Sequence, residues 1–466
     1  MPRFNTRRAC DRCHCLKERC FWQQGMASGC SRCLRLGFEC LDKRPSKRAG
    51  RPRLSTKPLQ LAVTTRAQFV DNTISASPTE QYSNRQGPAP VSPLLRTISE
   101  FSDLSARDKQ MMQNMFFSDN ALDTFLIGPS FREKHRSLLI SHFMVSHDTL
   151  KHAFLAVASG CEYQPTTEPY KHASLALKQL RQYNVSTKQD ISECLALGAM
   201  IISFTYYWSP SPAAAPVCHQ ALGLIKDTYE SSKDITQTDI VFISCLILPE
   251  LLNCMMTGSL PSLKFRYLPE LNNHVDRYIG LFAPLLPHFY DICKLNHALY
   301  QADMDRLPDE MAAVEEVERV VEAWQPQFPD DSITHFSAAE ISHILCQAQV
   351  MRLGAMLLIY RLWHPFGTDN EPATALATSI LTQLDLIQAA TKRSIVYITL
   401  PLIAACFELH DEEERQFWLD KVPKIVGHSP GFSEYVQRLM KTFWKALDDV
   451  ETTSWYNIGY LISLYE

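Results

Sequence analysis

From residue 94 onward, apolar positions recur at steps of three and four, the spacing that gathers one face of an α-helix. In SAAEISHILCQAQVMRLGAMLLIYRLWHP, Ile341, Ile344, Leu345, Ala348, Met351, Ala355, Leu358, Ile359 and Leu362 follow it. Ser337 and Glu340 stand three apart as a capping box, and Pro365 ends the segment. A second helix is predicted after Pro308, with Met311, Val314, Val317, Val321 and Trp324 on one face and glutamates opposite. The same period returns over 148–159, 174–183, 192–208, 371–391 and 432–447, while strand-like alternation bounded by turns is scarce. The pattern predicts a large all-α domain of about a dozen or more helices over 94–466.

Before residue 94 the periodicity fails. Residues 54–93 are rich in Ser, Thr, Pro and Gln with few aliphatics, and read as a disordered linker. No heptad repeat is sustained past Pro58, so pairing of two chains through a coiled coil there is not expected. The best apolar runs, 195–208 and 241–249, fall short of the roughly 18–20 residues of a membrane span, and no membrane partner is expected. The opening MPRFNTRR has no apolar signal core, which predicts a chain that is not secreted. Its thiols would then sit in a reducing compartment, where clustered cysteines bind metal more often than they form disulfides.

Charge divides the chain more sharply than the net −4 discloses. Residues 1–58 hold 15 Lys/Arg against 4 Asp/Glu, a local +11, which leaves 31 against 46, or −15, for the rest. A basic head on an acidic body points to a polyanion-binding module carried by a separate globular part.

Seven of the 15 cysteines fall between residues 9 and 40. Cys10-x2-Cys13-x6-Cys20-x9-Cys30-x2-Cys33-x6-Cys40 is one half repeated: a CxxC pair, then a third cysteine after six residues. A CxxC turn brings two sulfurs to one ion at about 2.3 Å, and a following helical turn or two returns a third. Two tetrahedral ions need eight ligand positions and six thiolates fill six, so two sulfurs must bridge. The pattern calls for a cluster of two zinc ions. Cys15 lies two residues after Cys13, about 200° round a helix from it, and reads as a thiol that does not ligate.

This spacing, with CDRC at its start and Gly37 in the second half, resembles the fungal binuclear zinc cluster family of DNA-binding regulators. The resemblance covers residues 10–40 within an expected cluster domain over 8–42. It implies that Cys10 and Cys30 bridge, with Cys13 and Cys20 completing one zinc and Cys33 and Cys40 the other. It departs from the family in FWQQGMASG, which lacks a loop proline, and in His14, where Arg is usual. Two zinc ions with six thiolates leave a formal charge of about −2, so attraction to DNA must come from Arg12, Lys17, Arg19, Arg32 and Arg35. The family's pattern places Lys17 at the base-reading position, donating to guanine O6 and N7 in a CGG-type triplet of double-stranded DNA, with Arg19 on phosphate.

LDKRPSKRAGRPRLS runs from the end of the cluster into the segment 43–93, and its Gly50-Arg51-Pro52-Arg53 looks like the core of an AT-hook. Proline holds such a segment extended, and Arg51 and Arg53 would meet the narrow minor groove of A·T-rich sequence. A plain basic linker serving nuclear import through Lys43-Arg44 and Lys47-Arg48 is an equal reading. The body in turn resembles the fungal-specific helical regulatory domain of many such factors, through LPLIAACFELHDEEERQFWLDKV and LALKQLRQYN. By its residues, HDEEER is a solvated helix start, with carboxylates at the positive end of the dipole.

Two other function classes compete. Gly427-His428-Ser429-Pro430-Gly431 fits the GxSxG of hydrolases, but Pro430 has no N–H to give an oxyanion hole, so no catalysis is expected. His142, His147 and His152 form no HExxH pair. A zinc module that binds protein, on a helical scaffold and without DNA readout, is the alternative; the +11 head and GRPR weigh against it. The resemblance therefore implies a nuclear, zinc-dependent regulator of RNA polymerase II genes, working with the transcription machinery or co-regulators. By association it suits a pathway-specific regulator of a secondary-metabolite gene cluster.

Overall fold

A computed structural model describes residues 30, 102–117, 125–161, 167–208, 214–231, 235–268, 274–302, 307–329, 334–427, 430–450 and 452–465. The chain divides into two compact units, Met1–Arg85 and Gln86–Glu466. Of the described residues, the first unit holds Cys30 and the second all the others.

The described residues of the second unit form helices joined by loops. Its first half runs α1 (Ala106–Phe117), α2 (Arg132–Val145), α3 (His147–Gly160), α4 (Glu168–Gln182), α5 (Lys188–Trp208), α6 (Ala214–Ser231) and α7 (Gln237–Thr257). The second half runs α8 (Leu286–Gln301), α9 (Leu307–Ala323), α10 (Ala338–Trp363), α11 (Asn370–Thr391), α12 (Thr399–Cys406), α13 (Glu412–Ile425), α14 (Pro430–Asp448) and α15 (Ile458–Ser463). Among the described residues, extended pairing is limited to two isolated bridges, Asp276 with Gly280 and Phe366 with Thr453. Helices adjacent in sequence are mostly adjacent in space: α3 packs on α4, α5 on α6, α6 on α7, α8 on α9 and α10 on α11.

Local signals account for the elements. The helices expected at 148–159, 192–208, 371–391 and 432–447 are α3, α5, α11 and α14, each a little longer than its apolar stripe. The one expected at 174–183 begins earlier, at Glu168, because Pro169 in the first turn needs no hydrogen-bond donor there. Ser337 and Glu340 form the expected capping box: the Glu340 N–H donates to Ser337 Oγ at 3.3 Å, and the Ser337 N–H to Glu340 Oε2 at 2.9 Å. Thr236 and Asp239 do the same for α7, which ends at Gly258 in the left-handed region (φ 66°) that favours glycine.

Three expectations need correction. On α9, Val314, Val317 and Val321 are buried and Trp324 packs against the core, but Met311 is 36% exposed, since burial along this helix begins only at Val314. On α10 the apolar stripe is not confined to one face: Cys346, Val350, Leu353 and Leu357 are buried as well. A helix covered on most sides lies inside its domain. Finally, α7 and α10 are long and apolar enough to cross a membrane by length and composition. The unbroken apolar run ends at Pro249, before Glu250, whereas the helix continues through both. In the most apolar windows of α7 and α10, 83% and 67% of residues are buried within the fold, so protein covers them as core helices.

One ion pair locks the C-terminal half of this core. Arg361, near the end of α10, and Glu408, just after α12, are both almost wholly buried, and the Arg361 Nε–H donates to Glu408 Oε1 at 2.7 Å. Its other guanidinium nitrogens reach the second Glu408 oxygen, the Pro365 carbonyl at 3.0 Å and Asn370 Oδ1 at 2.9 Å. Burial pushes the Glu408 carboxyl up from its ordinary value against the pull of Arg361. Such a pair is tolerable because every charged atom is satisfied.

Candidate functional site

The predicted zinc ligands Cys10, Cys13, Cys20, Cys33 and Cys40 lie outside the described residues, as do Lys17, Arg12, Arg19, Arg32, Arg35, Arg51 and Arg53. Cys30 is described, and its side chain is wholly buried. Among the described residues, no group of three or more His, Cys, Asp or Glu could hold a metal ion.

In the body, cysteine is used differently. Cys161 is exposed, whereas Cys194, Cys218, Cys245, Cys254, Cys293, Cys346 and Cys406 are buried. Burial pushes the Cys194, Cys245, Cys254 and Cys346 thiols up to about 12. A thiol so unwilling to ionise is a small apolar residue and a poor metal ligand or nucleophile.

The histidines noted in the sequence find ordinary partners. His142 stands edge-on to Phe242, with centroids 5.1 Å apart, and His147 Nε2 lies 2.8 Å from the Asp103 carboxylate. His152 stacks on His172, their Nδ1 atoms 3.1 Å apart. In HDEEER, Asp411 caps α13 by accepting the Glu414 N–H at 3.0 Å, and Glu412–Glu414 are exposed as expected. Arg415 instead turns inward. It donates to both Asp448 oxygens at 2.9 and 3.0 Å and lies over Trp444. Of the GxSxG segment, His428 and Ser429 lie outside the described residues; Pro430 opens α14, where a missing N–H costs nothing.

Between α7 and α14 the described residues line a cavity of about 710 Å³. From α7 come Pro249, Leu252, Asn253, Met256 and Thr257, which share one helical face. From α14 come Phe432, Tyr435, Arg438, Leu439 and Thr442, also on one face. Helix α15 packs against both and adds Gly459 and Ile462. At Gly459 the backbone approaches α7 so closely that a Cβ would stand 2.2 Å from the Met256 carbonyl oxygen. Tyr206 joins the lining from α5, edge-on to Phe432 at 5.0 Å. The walls are thus mainly aromatic and aliphatic, with a few polar groups among them.

Residues 112–460 match the model of the fungal specific transcription factor domain. The chain belongs to that family. No curated protein and no solved structure matches it. The fungal specific transcription factor domain reaches from inside α1 into α15, so it holds most of the cavity lining, all but Ile462 and Tyr465, while the cysteine-rich segment lies outside it. The resemblance read from the body's sequence is borne out, and membership points to a regulator of transcription. What sequence reasoning missed in this domain is the cavity itself. Tyr435, Leu439 and Thr442 obey the helical period, but nothing local says that the surface they share stays open.

Proposed function

We propose that the protein is a nuclear, zinc-dependent, sequence-specific DNA-binding regulator of transcription by RNA polymerase II. The six-cysteine double repeat, Cys10 to Cys40, carries this reading, and membership of the fungal specific transcription factor domain family supports it from the other end of the chain. The donor set fits zinc: soft thiolates, in two equal halves, in numbers that two bridged ions would use in full. When bound, zinc would supply the cross-links that the few apolar residues of the head cannot replace.

Within such a head, over 8–42, Cys10 and Cys30 would each hold both ions, with Cys13, Cys20, Cys33 and Cys40 holding one each. Lys17 reads guanine in the major groove, and Arg19, with Arg12, Arg32 and Arg35, holds the backbone. Arg51 and Arg53 follow in the basic extension, where A·T-rich flanks suit them. The linker separates this head from the acidic helical body, which meets the transcription machinery or co-regulators. A single cluster, a long acidic body and the GRPR extension suit a pathway-specific regulator, with a biosynthetic gene cluster as the target.

Elemental analysis of the full chain tests the core of this reading, and two zinc ions per chain are expected. Cys15→Ser should leave that number at two, whereas Cys20→Ser should lower it and abolish binding to a CGG-containing duplex. A chain that binds the duplex with one zinc or none would overturn the cluster. A chain with two zinc ions that binds no duplex above scrambled DNA would favour the protein-binding alternative.

A further inference from the structure

We propose that the cavity between α7 and α14 binds a small apolar molecule carrying one acidic group, such as a carboxylate or sulfonate. This does not depend on how the head reads DNA. At about 710 Å³ the space falls in the range of small-molecule sites, roughly 300–1,000 Å³, and its mainly apolar walls with a few polar groups fit that type.

The polar groups point to the sign of the ligand. Arg438 and Thr442 stand one turn apart on α14, and Asn253 lines the cavity from α7. All three offer N–H or O–H donors, and among the described residues no Asp or Glu lines the cavity. Among the described residues, none of these three side chains makes an ion pair or a hydrogen bond. Glu434 lies four residues before Arg438, at the spacing of helical ion pairs, but the two do not pair, so this exposed guanidinium at the cavity mouth is left with its donors free. An unpaired guanidinium beside an apolar cavity is suited to a planar anion, which it can hold through two parallel hydrogen bonds. A neutral ligand would leave this charge unused, and a cation would be repelled.

The cavity is also framed rather than loosely packed. Gly459 lets the α15 backbone rest against Met256 of α7, while α15 packs on α14 as well. The two walls are therefore held by a third element, and the space between them is not closed by sliding α14 inward.

The test uses the folded full-length protein and two probes of nearly equal shape, 8-anilino-1-naphthalenesulfonate and its neutral counterpart N-phenyl-1-naphthylamine. Saturable binding of one sulfonate probe per chain is expected. Arg438→Gln, at an exposed position, should weaken the sulfonate about tenfold or more while moving the neutral probe less than about threefold, with melting temperature and near-UV dichroism unchanged. Thr442→Trp, which pushes an indole into the cavity beside Arg438, should weaken both probes. Absence of saturable sulfonate binding, equal loss of both probes in Arg438→Gln, or undiminished binding in a folded Thr442→Trp protein would each overturn the proposal. If Thr442→Trp does not fold, the pair of affinities in Arg438→Gln decides alone.

Discussion

The basic head and the acidic body place the same side chain in opposite company. Seven cysteines crowd into 9–40 at metal-ligand spacing, among Lys and Arg and few apolar neighbours. The eight cysteines of the body are scattered, and seven are buried among Leu, Ile and Phe with thiols that resist ionisation. What decides the chemistry of a cysteine is its company. Clustered at that spacing among basic residues, thiols suit a metal; inside a core, a thiol is one more apolar group.

Stripping metal should separate the two regions most sharply. Structural zinc sites are worth on the order of 10–16 kcal/mol to the units they fold. A chelator should therefore abolish duplex binding by the full chain while leaving the helical circular dichroism and the melting of the body unchanged. A fall in the body's melting temperature on chelation would mean that it, too, depends on metal.

The converse experiment attacks the body alone. Glu408→Ala leaves the Arg361 guanidinium buried without its counter-charge, which should cost about 3–5 kcal/mol in urea unfolding. Zinc content should not change. Arg361→Met with Glu408→Leu should recover most of that loss, because no buried charge is then stranded.

Acid should weaken the body through two buried histidines. Burial holds His135 at about 3 and His343 at about 4, both below the ordinary value of 6.5. As pH falls below 6.5 the unfolded chain takes up these protons and the folded chain does not, so stability is full above that pH. It is then lost as pH approaches 4. The slope should be about 1.4 kcal/mol per pH unit for each histidine, and His343→Gln should lower it by about that amount. An unchanged slope would show that His343 titrates in the folded protein.

The smallest effects should separate residues within the head. Lys17→Ala should cost about 1–3 kcal/mol on a CGG-containing duplex and little on scrambled DNA. Arg19→Ala should weaken both alike and lower the salt slope by about one. Salt titrations on both duplexes measure each, and equal losses for Lys17→Ala would move base reading to another side chain.

Legibility followed the range of the signal. The capping box of Ser337 and Glu340, the stop before Pro365 and the stripes of α3, α5, α11 and α14 could be read because each depends on residues within a turn or two. Met311 and the multi-sided burial of α10 were misread because period alone cannot tell how far a neighbouring helix extends. Arg415 was read with its exposed acidic neighbours, since its partner Asp448 lies 33 residues away.

The sequence by itself determined the helical character of the body, the caps that bound its helices, the partition of charge and the double repeat of cysteines. Tertiary structure alone decided that α7 and α10 are core helices, that Arg361 meets Glu408 across 47 residues, and that α7 and α14 leave a cavity with Arg438 on its wall. Period and capping are fixed by hydrogen bonds between residues three or four apart, whereas burial and pairing depend on which distant surfaces meet, and no local pattern records that.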